Sequence, residues 1–294
     1  MLHLPSKSLS TTTQNFLDKL QKQVDSKLTF KDKADKAQSL WLSKRKLKGG
    51  EEAFDEIKEV LKTMCVGIKM CNYCEHDRAF DIEHIYPKSL YPSLAFVWEN
   101  YLLACKGCNS EYKSDNFAIF KPKNSAQKYI LVRNKKPANS DALLINPRED
   151  DPTEFLRLNL TGRFPTFFYD PIYDVNSREY LRADYTTECL ELNKNESLIA
   201  ARENLTKTYL ERLQNCLKVK ESTNFDDLDS ATNGFPMTDR TQSFDSEKQR
   251  ILENIKNSFK ELSHPTVWFE LKRQRDNLQR TNQLFIQLPE ALNW

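Results

Sequence analysis

The stretch Cys71-Asn-Tyr-Cys74-Glu-His-Asp-Arg-Ala-Phe-Asp81-Ile-Glu83-His84-Ile-Tyr-Pro87 decides how this chain is read. It begins with two cysteines two residues apart and runs on to an acid beside a histidine. A second pair follows in Cys105-Lys-Gly-Cys108. Each Cys-x-x-Cys turn points both sulfurs at one metal, so four thiolates can close a tetrahedral shell around Zn2+ with no open position. Such a site is structural, and chemistry needs other residues. Gly107 sits inside the second turn, where glycine's tolerance of positive φ fits a tight backbone. His76 is the alternative ligand.

Asp81-Ile-Glu83-His84-Ile85 alternates as a short strand does. Neighbours on a strand face opposite sides, so Glu83 and His84 serve one site from two directions at the strand end. Pro87 then stops regular pairing. Trp98-Glu-Asn100-Tyr-Leu-Leu-Ala-Cys105 reads as a second short strand. After Cys108 a helix is expected, with Asn109 and Lys113 on one face.

Working outward, residues 1–64 read as helical. Phe16, Leu17, Leu20, Val24 and Leu28 fall at helical spacing, as do Ala34, Ala37, Leu40 and Trp41, then Phe54, Ile57, Leu61 and Met64 after Gly49-Gly50. Residues 65–120 carry the cysteines. Residues 121–185 suggest loops and short strands. Residues 186–294 return to helical spacing, with 221–244 as a polar linker and one helix from Val267 to Leu284. The fold class expected is α+β, mainly helical, around an embedded zinc-stabilised core.

Charged residues make up 29% of the chain, and mean hydropathy is −0.69. No run approaches the roughly 18 apolar residues of a membrane helix. No secretory signal is read at the start, so a cytoplasmic protein is expected. In that compartment disulfides are not expected, and Cys65, Cys189 and Cys216 read as ordinary buried thiols. Net charge is only +2, yet residues 106–136 hold eight basic residues against Glu111 and Asp115. Lys106, Lys113, Lys121 and Lys123 are candidates for phosphate contacts there.

Strand, loop, strand and helix, pinned by zinc, resemble the HNH endonuclease (ββα-metal) motif. The residues that carry the resemblance are DIEHIYPKS, the Asn of WENYLLAC and the CN closing CKGCN. It implies His84 as general base, and Glu83 and Asn109 as ligands of a catalytic Mg2+ or Mn2+. It implies Asn100 as the residue that holds the loop and the histidine. Glu83 departs from the more usual Asp, so Asp81 is expected to share its role. Lys113 also departs, lying four residues after Asn109 where the family usually has three.

A closer resemblance is carried by MLHLPSKSL, HIYPKSLYPSLAFVWENYLLACKGCN, LLINPREDDPTEFL and CLELNKNESLIAAREN. These are similar to the PtuB-like HNH proteins of Septu-type anti-phage systems and to related retron-associated proteins. The resemblance implies a defence nuclease that cuts nucleic acid. DNA is the first expectation and RNA such as tRNA the alternative. It also implies an ABC/SMC-like ATPase (PtuA-like) partner and, in retron versions, a reverse transcriptase with its RNA–DNA product. Helices outside 65–120 are expected to dock the partner. The competing readings are a zinc module that binds nucleic acid without cutting it and a scaffold subunit. Neither needs Glu83, His84 and Asn109 together.

Overall fold

Serine and threonine caps start the first two helices. The structure, a computed structural model, describes every residue except 66–68, 122–125, 134 and 234–236. Ser10 Oγ accepts from Thr13 N at 3.2 Å and opens α1 (Thr11–Asp25). Thr29 Oγ1 accepts from Asp32 N at 3.1 Å and opens α2 (Phe30–Ser43). Each such cap contributes about 1 kcal/mol. α3 (Gly50–Met64) starts so close to the end of α2 that a Cβ on Gly50 would fall 1.9 Å from Lys44 O. Leu17, Leu20 and Val24 of α1 and Phe54, Ile57 and Leu61 of α3 are fully buried. Each stabilises the fold by roughly 1.5–3 kcal/mol relative to exposure. Leu28 does not join them. α1 closes at Asp25, and Leu28 is 98% exposed in the turn before the Thr29 cap.

Both expected strands form, the second shorter than read: Trp98–Asn100 is a 3-10 turn that precedes it. β1 (Asp81–His84) pairs antiparallel with β2 (Tyr101–Ala104), in the register Asp81↔Ala104, Ile82↔Leu103, Glu83↔Leu102, His84↔Tyr101. The helix after Cys108 is a π-helix, Gly107–Lys113. Gly107 is not at positive φ: among the described residues, the glycines in that region are Gly49 and Gly162. A Cβ on Gly107 would instead lie 3.2 Å from the Tyr112 ring, so close approach is what the position requires. Two more two-stranded pairs follow, β3 (Ala118–Phe120) with β4 (Lys128–Ile130), and β5 (Leu156–Leu158) with β6 (Tyr169–Pro171).

Contacts divide the chain into two units, 1–157 with 169–195, and 158–168 with 196–294. The first contains both cysteine pairs, His84 and α4 (Arg178–Cys189). The second contains α5 (Glu196–Glu221), α6 (Phe225–Thr232), α7 (Phe244–Ser258), α8 (Pro265–Arg273) and α9 (Gln279–Gln287). α6 lies inside the expected linker. Its Leu228 and Ala231 pack with Val219 and Ile251, an apolar face too short to stand out among polar neighbours. The helix expected from Val267 to Leu284 breaks at Arg275–Asn277, where the run Arg273-Gln-Arg-Asp-Asn277 offers no apolar side chain to the core. Among the described residues, no helix is long and apolar enough to cross a membrane.

Candidate functional site

Cys71, Cys74, Cys105 and Cys108 are all buried, and their sulfurs lie within 4.8 Å of one another. A zinc–sulfur bond of about 2.3 Å puts tetrahedral sulfurs about 3.8 Å apart. Cys74 Sγ and Cys105 Sγ are 3.9 Å apart. The donor set therefore fits zinc, and among the described residues no histidine or carboxylate joins it, His76 included. The backbone ties the first turn to the sheet. Asn72 N donates to Leu103 O at 3.1 Å, Phe80 N donates to Ala104 O at 3.1 Å, and Cys108 N points at Cys105 Sγ at 3.4 Å. Cys65 and Cys189 are half-buried free thiols and Cys216 is a buried one.

A cleft of about 550 Å³ lies beside β1, lined by Glu83, His84, Asn109, Lys88, Arg133 and, from α2, Trp41, among others. His84 is 5% exposed. Its Nε2 lies 2.9 Å from Ala95 O. A carbonyl only accepts, so Nε2 carries the proton and the neutral ring keeps its lone pair on Nδ1. Two rings fix the imidazole, Trp41 at 4.2 Å and Tyr101 at 5.2 Å between centroids. Burial pushes His84 well below the ordinary imidazole range. Lys88 adds to that and the Ala95 carbonyl opposes it. The ring is thus held neutral at neutral pH.

The loop that carries Ala95 is held from several sides. Asn100, 3% exposed, accepts from Tyr86 N at 2.7 Å and donates to Tyr86 O at 3.0 Å and Leu94 O at 2.9 Å. Gln21 of α1 accepts from Phe96 N at 2.9 Å and donates to Pro92 O at 3.1 Å. Tyr101 OH donates to Ala95 O at 2.7 Å.

Glu83 faces Lys113 across an ion pair of 2.5 Å, and Lys113 Nζ also donates to His84 O at 2.9 Å. Burial raises the Glu83 carboxyl and Lys113 pulls it back down. Lys113 has no exposed surface, so the phosphate contact expected of it is replaced by an internal one. The π-helix explains the spacing. Ser114 N donates to Asn109 O at 3.1 Å, an i→i+5 bond, and the wider turn lets a lysine four residues after Asn109 reach Glu83. Asn109 Nδ2 donates to Asp81 Oδ2 at 3.3 Å, which leaves its carbonyl oxygen for the cleft. Asp81 reaches the site through that bond and does not line the cleft.

Lys106 is exposed and Lys121 donates to Gln127 Oε1 at 3.0 Å; neither lines the cleft. Lys123 lies outside the described residues. The cleft gains Lys88 and Trp41, which the sequence reading left unassigned. Lys88 stood inside the quoted motif, and Trp41 was counted only as part of a helix face.

Over 125 residues the chain is 33% identical to Septu protein PtuB of Bacillus mycoides (strain KBAB4), covering 37% of this chain and 40% of that protein. Over that stretch the chain is similar to a PtuB protein of a Septu system. It is also 23% identical over 159 residues to Septu protein PtuB of Bacillus thuringiensis, covering 52% of this chain and 48% of that protein. The PtuB-like chain thus spans less than half the length of the curated relatives it matches. No protein-family model and no solved structure matches it.

Proposed function

We propose that this PtuB-like protein is a metal-dependent HNH endonuclease that hydrolyses phosphodiester bonds, DNA first among its substrates, in anti-phage defence. The observation that carries the reading is the neutral imidazole of His84, its Nε2 tied to Ala95 O, in one cleft with Glu83 and Asn109. His84 takes a proton from water at Nδ1. Ala95, Trp41 and Tyr101 hold the ring, and Asn100 holds the loop. Glu83 and Asn109 supply oxygen ligands for a hard cation, with Asp81 orienting Asn109. The donor set fits Mg2+ or Mn2+, which when bound supplies Lewis-acid stabilisation of the charge that develops on the phosphate. The four cysteines hold Zn2+ and brace the sheet without taking part in chemistry. The family resemblance further supports an ABC/SMC-like ATPase as partner, docked by helices outside the nuclease core.

His84→Ala is the test. With Mg2+ and plasmid DNA, and separately with total tRNA, cleavage by the variant is expected to fall by about two to four orders of magnitude. Zinc content and circular dichroism should stay as in the wild type. Full cleavage by a folded His84→Ala protein sinks the assignment.

A further inference from the structure

The basic run at 106–136 is poorly placed to grip a substrate strand at the cleft. Lys113 is buried against Glu83, Lys106 and Lys121 lie off the cleft, and Arg133, which lines it, is paired with Asp115. A different pair of cations meets on Trp41, which lines the cleft; of the two, Lys88 lines the cleft itself and Lys44 reaches it through the indole. Lys88 lines the cleft with Glu83 and His84, and its ammonium lies 5.9 Å from the centroid of the Trp41 ring. Lys44, just past the end of α2, has its ammonium 4.0 Å from the same indole and donates to Trp41 O at 2.9 Å. Among the described residues neither lysine forms an ion pair, whereas Arg45 beside them pairs with Asp55 at 2.7 Å. Two half-buried ammonium groups lie against one indole, and although Asp115 and Glu83 act on Lys88 through space, neither lysine is paired with an acid, so positive potential remains at the ring. A chain of phosphates neutralises it.

We propose that Lys88 and Lys44, set on the Trp41 indole, bind backbone phosphates of the substrate strand, so that the end of α2 forms one wall of the substrate groove. Both are positioning residues: they seat the strand and leave the proton transfer to His84. Burial and the neighbouring positive charges lower Lys44 to about 8, which agrees with an ammonium group that lacks an anion. The inference rests on the nucleic-acid reading above, but it concerns binding and is testable without turnover.

The experiment is fluorescence anisotropy on the full chain in a His84→Ala background without added Mg2+. The probes are a labelled DNA duplex and a labelled single-stranded RNA. Lys88→Gln and Lys44→Gln are each expected to weaken binding by about three- to tenfold. The double variant should reduce the slope of log affinity against log salt by about two on duplex DNA. Lys88→Arg and Lys44→Arg should restore most of the affinity, which a lost packing role would not predict. Lys106→Gln and Lys121→Gln should stay within about twofold of the parent. The reverse pattern overturns the proposal, as does failure of the parent to bind either polymer. Normal binding loss with no cleavage by the wild type retires the catalytic reading and leaves this one. Cleavage with binding unchanged in the Lys44 and Lys88 variants does the opposite.

Discussion

At Lys113 an ammonium group with no exposed surface faces a carboxylate, Glu83, that is 4% exposed. The pair stands between the backbone of His84 and the cleft, so it fixes the strand end as well as a candidate ligand. Lys113→Met leaves Glu83 buried and unpaired, at a cost of about 3–5 kcal/mol. Urea unfolding measures it, and adding Glu83→Gln should recover part of the loss. An unchanged midpoint would show that the pair is not closed in solution. Lys44 gives a pH signature of another kind. Burial, then Arg45 and Lys88, lower its ammonium to about 8. Below that pH it is charged and ready for phosphate. Above it, the free chain must take up a proton before it can bind. Nucleic-acid affinity is therefore expected to decline as pH rises past about 8. Lys44→Gln should be flat across that window, and an equal decline in the variant would assign the titration elsewhere.

Between residues and fold stand two small elements that do most of the positioning. β1 and β2 are only four residues each. A two-stranded ribbon of that length is marginal in water and needs something to brace it. The four cysteines lie at its base, with Cys105 directly after β2 and Cys71 and Cys74 tied to Leu103 and Ala104 through the first turn. Bound zinc contributes folding energy, about 10 kcal/mol or more in the smallest such domains. Cys74→Ser is accordingly expected to lose zinc and to melt the region around the sheet. Zinc analysis and near-ultraviolet circular dichroism report on both. Retention of the full metal content would mean that another ligand replaces Cys74. The π-helix is the second element. Its wider turn places Asn109 at the cleft and Lys113 beneath it, and the close approach of Gly107 to Tyr112 accompanies that geometry.

On the scale of the whole molecule, the site draws on residues far apart in the chain but within one unit, 1–157 with 169–195. Phe16, Phe54 and Trp41 form a run of edge-on rings from the three N-terminal helices to His84. Those helices thus help to build the wall of the cleft beside His84. In the other unit, Gln274 donates to Leu158 O at 2.7 Å and Arg202 to Phe167 O at 3.0 Å, holding 158–168 in place. A chain ending at residue 195 loses those donors. Trypsin is expected to cut it at Arg163 within 158–168 far faster than it cuts the full chain, while zinc stays bound. Loss of zinc on truncation would show that the first unit does not stand alone.

Residues close in the chain announced their parts. The cluster of four cysteines, the strand around His84, its partner strand and the helix after Cys108 follow from local spacing, because turns, strand alternation and capping are short-range physics. α4 and α6 escaped, since their buried faces are short and built from small or polar residues such as Ala183, Thr186, Ala231 and Thr232. The direction of a long side chain lay beyond local pattern altogether. Lys106, Lys113 and Lys121 look alike in the sequence, yet one is buried against Glu83 and two are exposed away from the cleft. Lys88 and Trp41 gained their place only when α2 packed beside β1. The reason is that an ammonium or an indole takes its surroundings from whichever distant segment covers it, and that choice is made by burial over the whole unit, not by its neighbours in the chain.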